Sequence, residues 1–201
     1  MKARLAGVAA LLLLTGTAVA QDRPRFGTRF EPFSAVKDST AGVVGQLSAE
    51  LVRSTPAFVN AAAINDMYVA AAGKLAVQRS HSPSVRAFAR RMVEAHSAAL
   101  ARLKKTIRYN NVNATLPTAV DARRRVMLDD LRGAKAENFD HRYMAQQVAS
   151  HKEIDILMRR YAKVGKINAM KDFALATGRT EAAHLYSAQT LDPRTRDAGG
   201  R

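Results

Sequence analysis

Apolar side chains recur every three or four residues along the stretch 84–107. The positions are Val85, Phe88, Met92, His96, Leu100, Leu103 and Ile107. This spacing places all seven on one face of an α-helix, whose flanks are rich in arginine and lysine. His96 stands at the centre of an otherwise apolar face, so it is the first candidate for chemistry.

Three further long helices show the same period, and the helix at 84–107 is the second of the four in chain order. The first extends from residue 56 or 61 to residue 80, and the third extends from Phe139 to Lys163. The fourth begins at a cap on Asn168 and ends at Asp192-Pro193. The predicted buried face of the first helix is Ile64, Tyr68, Ala71 and Leu75. That of the third helix is Phe139, Tyr143, Gln147, His151, Ile154, Met158 and Tyr161. That of the fourth helix is Met170, Phe173, Thr177, Glu181, His184 and Ala188.

Local signals set the boundaries between these helices. Ser82 is a favourable N-cap for the second long helix. The spacing of Thr118 and Asp121 resembles a capping box, and it predicts a short helix that closes at Gly133. Another short helix is predicted within residues 46–53.

The fold class follows from these elements and from the scarcity of strand signals. The sequence predicts an all-α protein: a ferritin-like four-helix bundle with a short extra helix between the second and third long helices. The connection 110–138 is long enough to cross such a bundle. The Ala-Ala-Ala-Gly run at 70–73 gives the first helix a thin face. That face allows close approach of a neighbouring helix, or of a second copy of the chain in a homodimer.

The first twenty residues have the three parts of a secretory signal peptide. Lys2 and Arg4 form a charged region, an apolar run follows at 6–14, and Ala18-Val19-Ala20 provides a cleavage site. The prediction is a soluble exported protein, in the periplasm or associated with the outer membrane. Residues 21–57 are interpreted as a flexible leader, 58–191 as the helical domain and 192–201 as a disordered tail.

The chain contains no cysteine, which excludes thiolate metal sites, c-type haem attachment and thiol redox chemistry. It is strongly basic, with 32 Lys and Arg against 17 Asp and Glu and a net charge of +15. The basic residues are spread over every helix and no nucleic-acid motif is present, so no specific nucleic-acid partner is predicted. A simply solvated polar surface is the favoured interpretation of this charge, and peripheral contact with an anionic envelope surface is the alternative to it. The sequence identifies no individual partner.

Five segments carry a resemblance to a known family: GKLA at 73–76, SPSVRAFARRMVEAH at 82–96, FDHRY at 139–143, SHKEI at 150–154 and EAAHL at 181–185. Over residues 58–191 the chain resembles the bacterial ferritin-like family named domain of unknown function 4142, often labelled putative outer-membrane proteins. The resemblance implies an exported four-helix bundle and no established activity. The family usually has a Glu one turn before Gly-Lys-Leu-Ala, where this chain has 69–72, Val-Ala-Ala-Ala. An acidic ligand from the first helix is therefore expected to be missing.

Di-iron chemistry of the ferritin type needs a Glu from each of two helices and Glu-x-x-His from the other two. This chain has one such pair, Glu181 and His184. Glu94 and Glu153 each lie two residues from the histidine of their helix, which is about 160° away at ~100° per residue. They cannot share a site with those histidines, so a ferritin-like oxidase is disfavoured.

Two interpretations of the histidines stay open. His96, His151, Glu181 and His184 could bind a divalent transition metal such as zinc, copper or iron. His96 and His151 lie near the centres of their helices and can meet, whereas His184 is expected at a different height along the bundle axis. Alternatively, the histidines form a structural polar layer, whose ring nitrogens bond to Gln147, Thr177, Tyr68 or Tyr143.

The function expected from the sequence is therefore a non-catalytic one. We expect an envelope helical bundle with a binding or stress-related structural role, no catalytic residues and no certain cofactor. The alternative is a periplasmic metal-binding bundle that uses the four residues above. No nucleophile elbow and no phosphate-binding glycine loop is present.

Overall fold

The computed structural model describes residues 44–50 and 52–192. The predicted signal peptide, the first part of the predicted leader and the tail from residue 193 lie outside the described residues. In the described part, the chain is all-helical and contains no strand. The six helices are α1 (residues 44–50), α2 (Thr55–Arg79), α3 (Pro83–Tyr109), α4 (Ala122–Gly133), α5 (Ala136–Val164) and α6 (Asn168–Leu191).

The observed helix ends lie close to the predicted ones because local capping chemistry sets most of them. The side chain of Ser82 accepts a hydrogen bond from the backbone N–H of Val85, as its N-cap role requires. Asp121 caps α4 in the same way, so the predicted start at Thr118 was wrong by three residues. Asn168 is the first residue of α6 and not its cap, which is Ile167.

The helices form a bundle in which each long helix packs against two others. The pair α2–α3 and the pair α5–α6 make the most extensive contacts, and α2–α5 and α3–α6 complete the bundle. The short helix α4 packs on α2 and α5. None of the described helices combines the length and the apolar character needed to cross a membrane.

Arg124 anchors α4 to the bundle from a fully buried position. Its guanidinium lies 2.9 Å from Asn65 Oδ1, 3.0 Å from Glu153 Oε2 and 4.5 Å from the ring centre of Tyr68. A buried arginine is tolerated only when its charge is paired and its N–H groups find acceptors. The contacts with α2 and α5 pair this charge, although Nε has no hydrogen-bond partner, and they hold α4 against both helices.

The buried faces of α3 and α5 follow the predicted stripes, although Leu100 and Ile107 are only partly buried. The face predicted for α2 was partly wrong. Tyr68 is buried, but Ile64 and Leu75 are only partly buried, and buried positions include Asn65 and Asp66. Because α2 is rich in alanine and contacts both α3 and α5, its apolar residues surround the helix and do not select one face.

The apolar core consists of two separate clusters, one toward each end of the bundle. The first contains Phe88, Phe139 and Tyr143, and the second contains Phe58 and Tyr161 among others. On each long helix, buried polar residues occupy the positions between the two clusters. These residues, which we call the polar layer, are Asn65 and Asp66 on α2, His96 on α3, Ser150 and His151 on α5, and Thr177 and Glu181 on α6.

Helix α1 lies within the segment assigned to the leader from sequence. Its Ala49 is buried in the second core cluster, where Val52 also packs in part. A Cβ atom added at Gly45 would lie 2.0 Å from a carboxylate oxygen of Glu153. Helix α1 and Val52 therefore pack on the bundle that begins at α2.

The thin face of α2 is used for helix packing within the chain. A Cβ atom added at Gly73 would lie 2.8 Å from Val93 Cγ2 and 3.0 Å from the backbone oxygen of Ala89, so α2 and α3 approach closely. A homodimer through this helix stays a prediction.

We expect Gly73→Val to lower the free energy of unfolding by about 1–3 kcal/mol, because the branched side chain must displace α3. Urea denaturation followed by circular dichroism measures this change. Gly133→Val is the matched control, since nothing lies within 4 Å of a Cβ atom added there. Equal losses of stability in both variants would contradict the close approach.

Candidate metal centre

Three helices deliver four potential metal ligands to the centre of the polar layer. His96 comes from α3, His151 from α5, and Glu181 and His184 come from successive turns of α6. One ligand atom of each residue lies within 4.8 Å of those of the other three. The side chains of His96, His151 and Glu181 are at most 2% exposed, whereas that of His184 is 16% exposed.

The oxygen Oε2 of Glu181 lies at nearly equal distances from three imidazole nitrogens. It is 3.8 Å from His96 Nε2, 3.7 Å from His151 Nε2 and 3.8 Å from His184 Nδ1. The two Nε2 atoms of His96 and His151 are 3.4 Å apart. These separations are too long for direct hydrogen bonds from nitrogen to the carboxylate. Glu181 Oε2 and His184 Nδ1 accordingly have no hydrogen-bond partner.

The spacing of the donor atoms fits a transition metal ion. With Zn–N bonds of about 2.0–2.1 Å, a tetrahedral site has edges of about 3.3–3.4 Å between its donor atoms. The separation of the two Nε2 atoms equals this edge, and the distances to Glu181 are a few tenths of an ångström longer. Small side-chain adjustments would therefore bring the four donors into coordination distance.

Outer hydrogen bonds orient two of the imidazoles. His96 Nδ1 is 2.8 Å from Asp66 Oδ1 on α2, and His151 Nδ1 is 2.8 Å from the backbone oxygen of Gln147. In each case Nδ1 donates the hydrogen, which turns Nε2 toward the centre. This arrangement is typical of metal-binding histidines, whose second nitrogen is held by a carboxylate or a carbonyl.

Asp66 is an acidic residue of the first long helix that acts at the site as the partner of His96 and not as one of the predicted metal ligands. It lies two helical turns before Gly-Lys-Leu-Ala and contacts the centre through His96. Sequence reasoning missed it because the helical period of α2 was assigned to the wrong face. Asp66 is the single acidic residue of this alanine-rich helix, which was the available signal.

The charges of the centre depend on burial and on mutual contact. Burial would raise the pKa of Glu181, but the three neighbouring histidines lower it overall. Burial lowers the pKa of His151 to about 4. Burial also raises the pKa of Asp66 to about 6, although its contact with His96 acts in the opposite direction. At neutral pH, Glu181 is therefore ionised and His151 is neutral, as metal coordination requires.

The pKa of His96 is raised despite its complete burial. Burial alone would lower it, but the hydrogen bond with Asp66 and the charge of Glu181 outweigh that effect. The proton that His96 gains would sit on Nε2, the atom that faces the centre. A metal ion must displace that proton, so metal affinity should increase with pH.

The structure brings together all four residues predicted as ligands. The expectation that His184 lies at a different height along the bundle axis was wrong, since its ring centre is 5.6 Å from those of both His96 and His151. Glu94 is exposed and Glu153 pairs with arginines of α4, so their exclusion from the site is confirmed.

The hydrogen-bond partners predicted for a polar layer are only partly present. Gln147 bonds to His151, but through its backbone oxygen and not its side chain. Thr177 accepts a hydrogen bond from Arg102, and Tyr68 donates one to Gln146.

A family model described as "Domain of unknown function (DUF4142)" matches residues 44–191. The chain belongs to this DUF4142 family. The match starts at α1 and includes every residue of the centre. Searches of curated proteins and of solved structures found no match. The DUF4142 assignment carries no activity, so function must be argued from the site.

Two opposite pH effects act on the metal-free DUF4142 protein. His151 binds its proton near pH 4 when folded and near 6.5 when unfolded, so its contribution to stability falls as the pH drops between these values. Asp66 binds its proton near pH 6 when folded and near 3.8 when unfolded, so its contribution rises as the pH drops through that window.

We therefore expect Asp66→Asn to steepen the loss of stability on acidification. The variant should lose on the order of 3 kcal/mol more than the parent between pH 6.5 and 4, because the Asp66 contribution is removed and the support for His96 protonation with it. Urea denaturation at several pH values, in the presence of a chelator, measures this difference. Asp172→Asn, at an exposed position, is the control. Parallel pH profiles for parent and Asp66→Asn would refute the assignment.

Proposed function

We propose that this protein binds one divalent transition metal ion through His96, His151, Glu181 and His184. The observation that carries the proposal is the position of Glu181 Oε2, buried and equidistant from three imidazole nitrogens without a hydrogen bond to any of them. A buried carboxylate needs a cation or hydrogen-bond donors to offset its desolvation. A metal ion at the centre would satisfy the carboxylate and all three nitrogens together.

A purely structural polar layer explains this geometry less well. Polar layers that fix helix register are satisfied internally, because each unpaired buried group costs about 1–3 kcal/mol. Here the outer nitrogens of His96 and His151 are satisfied by Asp66 and by the backbone oxygen of Gln147. Of the inner donor atoms, Glu181 Oε2 and His184 Nδ1 have no partner, and the Nε2 atoms of His96 and His151 have only each other, at 3.4 Å. This convergence is the pattern expected of a ligand set.

The donor set favours zinc, copper or iron over magnesium or calcium. Three imidazoles and one carboxylate are borderline ligands, whereas magnesium and calcium prefer sites made of oxygen. A di-iron centre would need bridging carboxylates, and of the two acidic residues here Asp66 is directed to the outer nitrogen of His96. We therefore propose a mononuclear site in a bundle of ferritin-like type.

We place this role outside the cytoplasm and without catalysis. Residues 1–20 have the pattern of a secretory signal, which supports this placement. In an envelope compartment such a centre would serve in metal binding or stress protection.

We expect the purified mature protein to bind close to one equivalent of Zn(II) and to melt at a higher temperature when loaded, since a ligand of the folded state stabilises it. His151→Ala and Glu181→Gln should each weaken binding more than about 100-fold, because changes in outer partners alone cost 10–100-fold. Titration against a competing chelator gives the affinities, and elemental analysis gives the stoichiometry.

The control for this experiment is His81→Ala, which removes an exposed histidine outside the centre. Glu181→Gln provides a second safeguard, because it deletes an unpaired buried charge and should leave the metal-free protein folded. A parent that binds no Zn(II), Cu(II) or Fe(II), together with variants that change only stability, would establish the structural polar layer instead.

A second candidate role is peripheral contact with an anionic surface, and one face of α3 favours it. Five of its exposed basic residues lie within an arc of roughly 140°, at ~100° per residue. They are Arg90, Arg91, Lys104, Lys105 and Arg108. Glu94 is the single acidic residue of this helix. Tyr109, 69% exposed beside Lys105 and Arg108, adds an amphipathic ring suited to a lipid interface.

We expect the protein to bind vesicles that contain anionic phospholipid at low salt. We expect no binding to vesicles that consist only of phosphatidylcholine. The double change Lys104→Glu and Lys105→Glu should weaken this binding more than tenfold, because each cation near the surface contributes about 1 kcal/mol. Vesicle sedimentation measures the effect. The same charge change at the exposed Lys163 and Lys166 is the control. Equal losses in both double variants would reject α3 as the contact face.

A further inference from the structure

The side chain of Gln147 is fully buried on α5, yet neither its Nε2 nor its Oε1 has a hydrogen-bond partner. One turn earlier, the buried hydroxyl of Tyr143 is likewise without a partner. Most buried side-chain amides and hydroxyls in proteins are bonded to protein or to ordered small molecules. Two adjacent unpaired groups on one buried face therefore indicate a bound molecule that both can reach.

These groups lie beside the metal centre. Tyr143, Gln147 and His151 follow one another at intervals of four residues on the buried stripe of α5. The Phe88 ring has its centre 6.3 Å from that of Tyr143 and 6.5 Å from that of His151, so it covers the same stretch of α5 from the side of α3. Gln147 therefore lies between Tyr143 and His151 on this face of α5, and its backbone oxygen is 2.8 Å from His151 Nδ1.

The ligand set itself extends toward this side. His184 is displaced from Glu181 by nearly one turn of α6, in the direction of Ala188. Ala188 belongs to the core cluster that contains Phe88 and Tyr143. Along their helices, His184 is therefore displaced from Glu181, and Gln147 from His151, toward the same core cluster.

We propose that Gln147, assisted by Tyr143, holds a small exogenous ligand of the bound metal ion. The ligand is of the size of water or azide, coordinates through oxygen or nitrogen, and accepts a hydrogen bond from the Gln147 amide. The inference rests on the proposed metal site and adds to it a coordination position that the protein does not fill. Burial raises the pKa of Tyr143 well above its usual range, so its hydroxyl remains available as a donor.

The chemistry of a three-histidine, one-carboxylate set allows such a position. Zinc and copper both accept a fifth ligand when four protein donors are present. A neutral amide is a suitable neighbour because it can donate through Nε2 and accept through Oε1. It can therefore stabilise either a neutral molecule or an anion without adding charge to the centre.

The test uses Cu(II)-loaded protein and azide, whose binding to Cu(II) produces a charge-transfer absorption band. Metal content is measured first. We expect the parent to show a saturable azide band, and Gln147→Met to bind azide about tenfold more weakly, in keeping with the loss of one hydrogen bond to a charged ligand. The Cu(II) affinity of Gln147→Met should stay within about threefold of that of the parent, since Gln147 contacts His151 through its backbone oxygen, which the substitution keeps.

Two further variants keep the result interpretable. Tyr143→Phe keeps the shape of the ring and should also weaken azide binding, so it tests the site if Gln147→Met folds poorly. Gln78→Met, at an exposed position on α2, should bind azide as the parent does.

If the Cu(II)-loaded parent protein shows no azide band, the proposal is overturned. Equal azide affinity in the parent, Gln147→Met and Tyr143→Phe would also overturn it, because the polar groups would then serve a molecule unconnected with the metal. Parent that takes up no metal would refute the proposed function, and this inference with it. The initial metal analysis separates that outcome from the other two.

Discussion

The carboxylate of Glu181 is the constraint on which the centre of this bundle depends. A negative charge in a packed interior is tolerated only where positive charge or hydrogen-bond donors surround it. Here α3, α5 and α6 each contribute an imidazole, and α2 contributes Asp66 to orient one of them. The three imidazoles surround one carboxylate oxygen without hydrogen-bonding to it, and Asp66 connects α2 to this group through His96.

The fold could be predicted from the sequence where a helix has two chemically distinct faces. The stripes of α3 and α5 alternate sharply with arginine, lysine and glutamate, so their inward positions were found in advance. Helix α2 lacks this contrast. Because alanine occurs on every side of this helix, the helical period does not identify its buried face. Asp66 was missed for that reason, although its type and its place among apolar residues are unusual.

The ligand set could be predicted in composition but not in geometry. Histidines on apolar stripes and the Glu181–His184 spacing identified the four residues. Their heights were estimated from helix centres, an estimate that placed His184 too far away because α5 and α6 differ in length and are not aligned at their midpoints. The unpaired state of Gln147 depends on what surrounds it in the bundle, and a sequence pattern contains no information about this.

The separation of the apolar core into two clusters has a consequence for how the bundle holds together. The packing around Phe88 and the packing around Phe58 are distinct, and a plane of ionisable groups lies between them. Hydrophobic burial cannot bind one half to the other across that plane. Cooperativity between the halves must come from the continuous helices and from whatever occupies the plane. An ion bound by three helices would connect the two halves. Binding or loss of this ion would therefore change the cooperativity with which the two halves unfold.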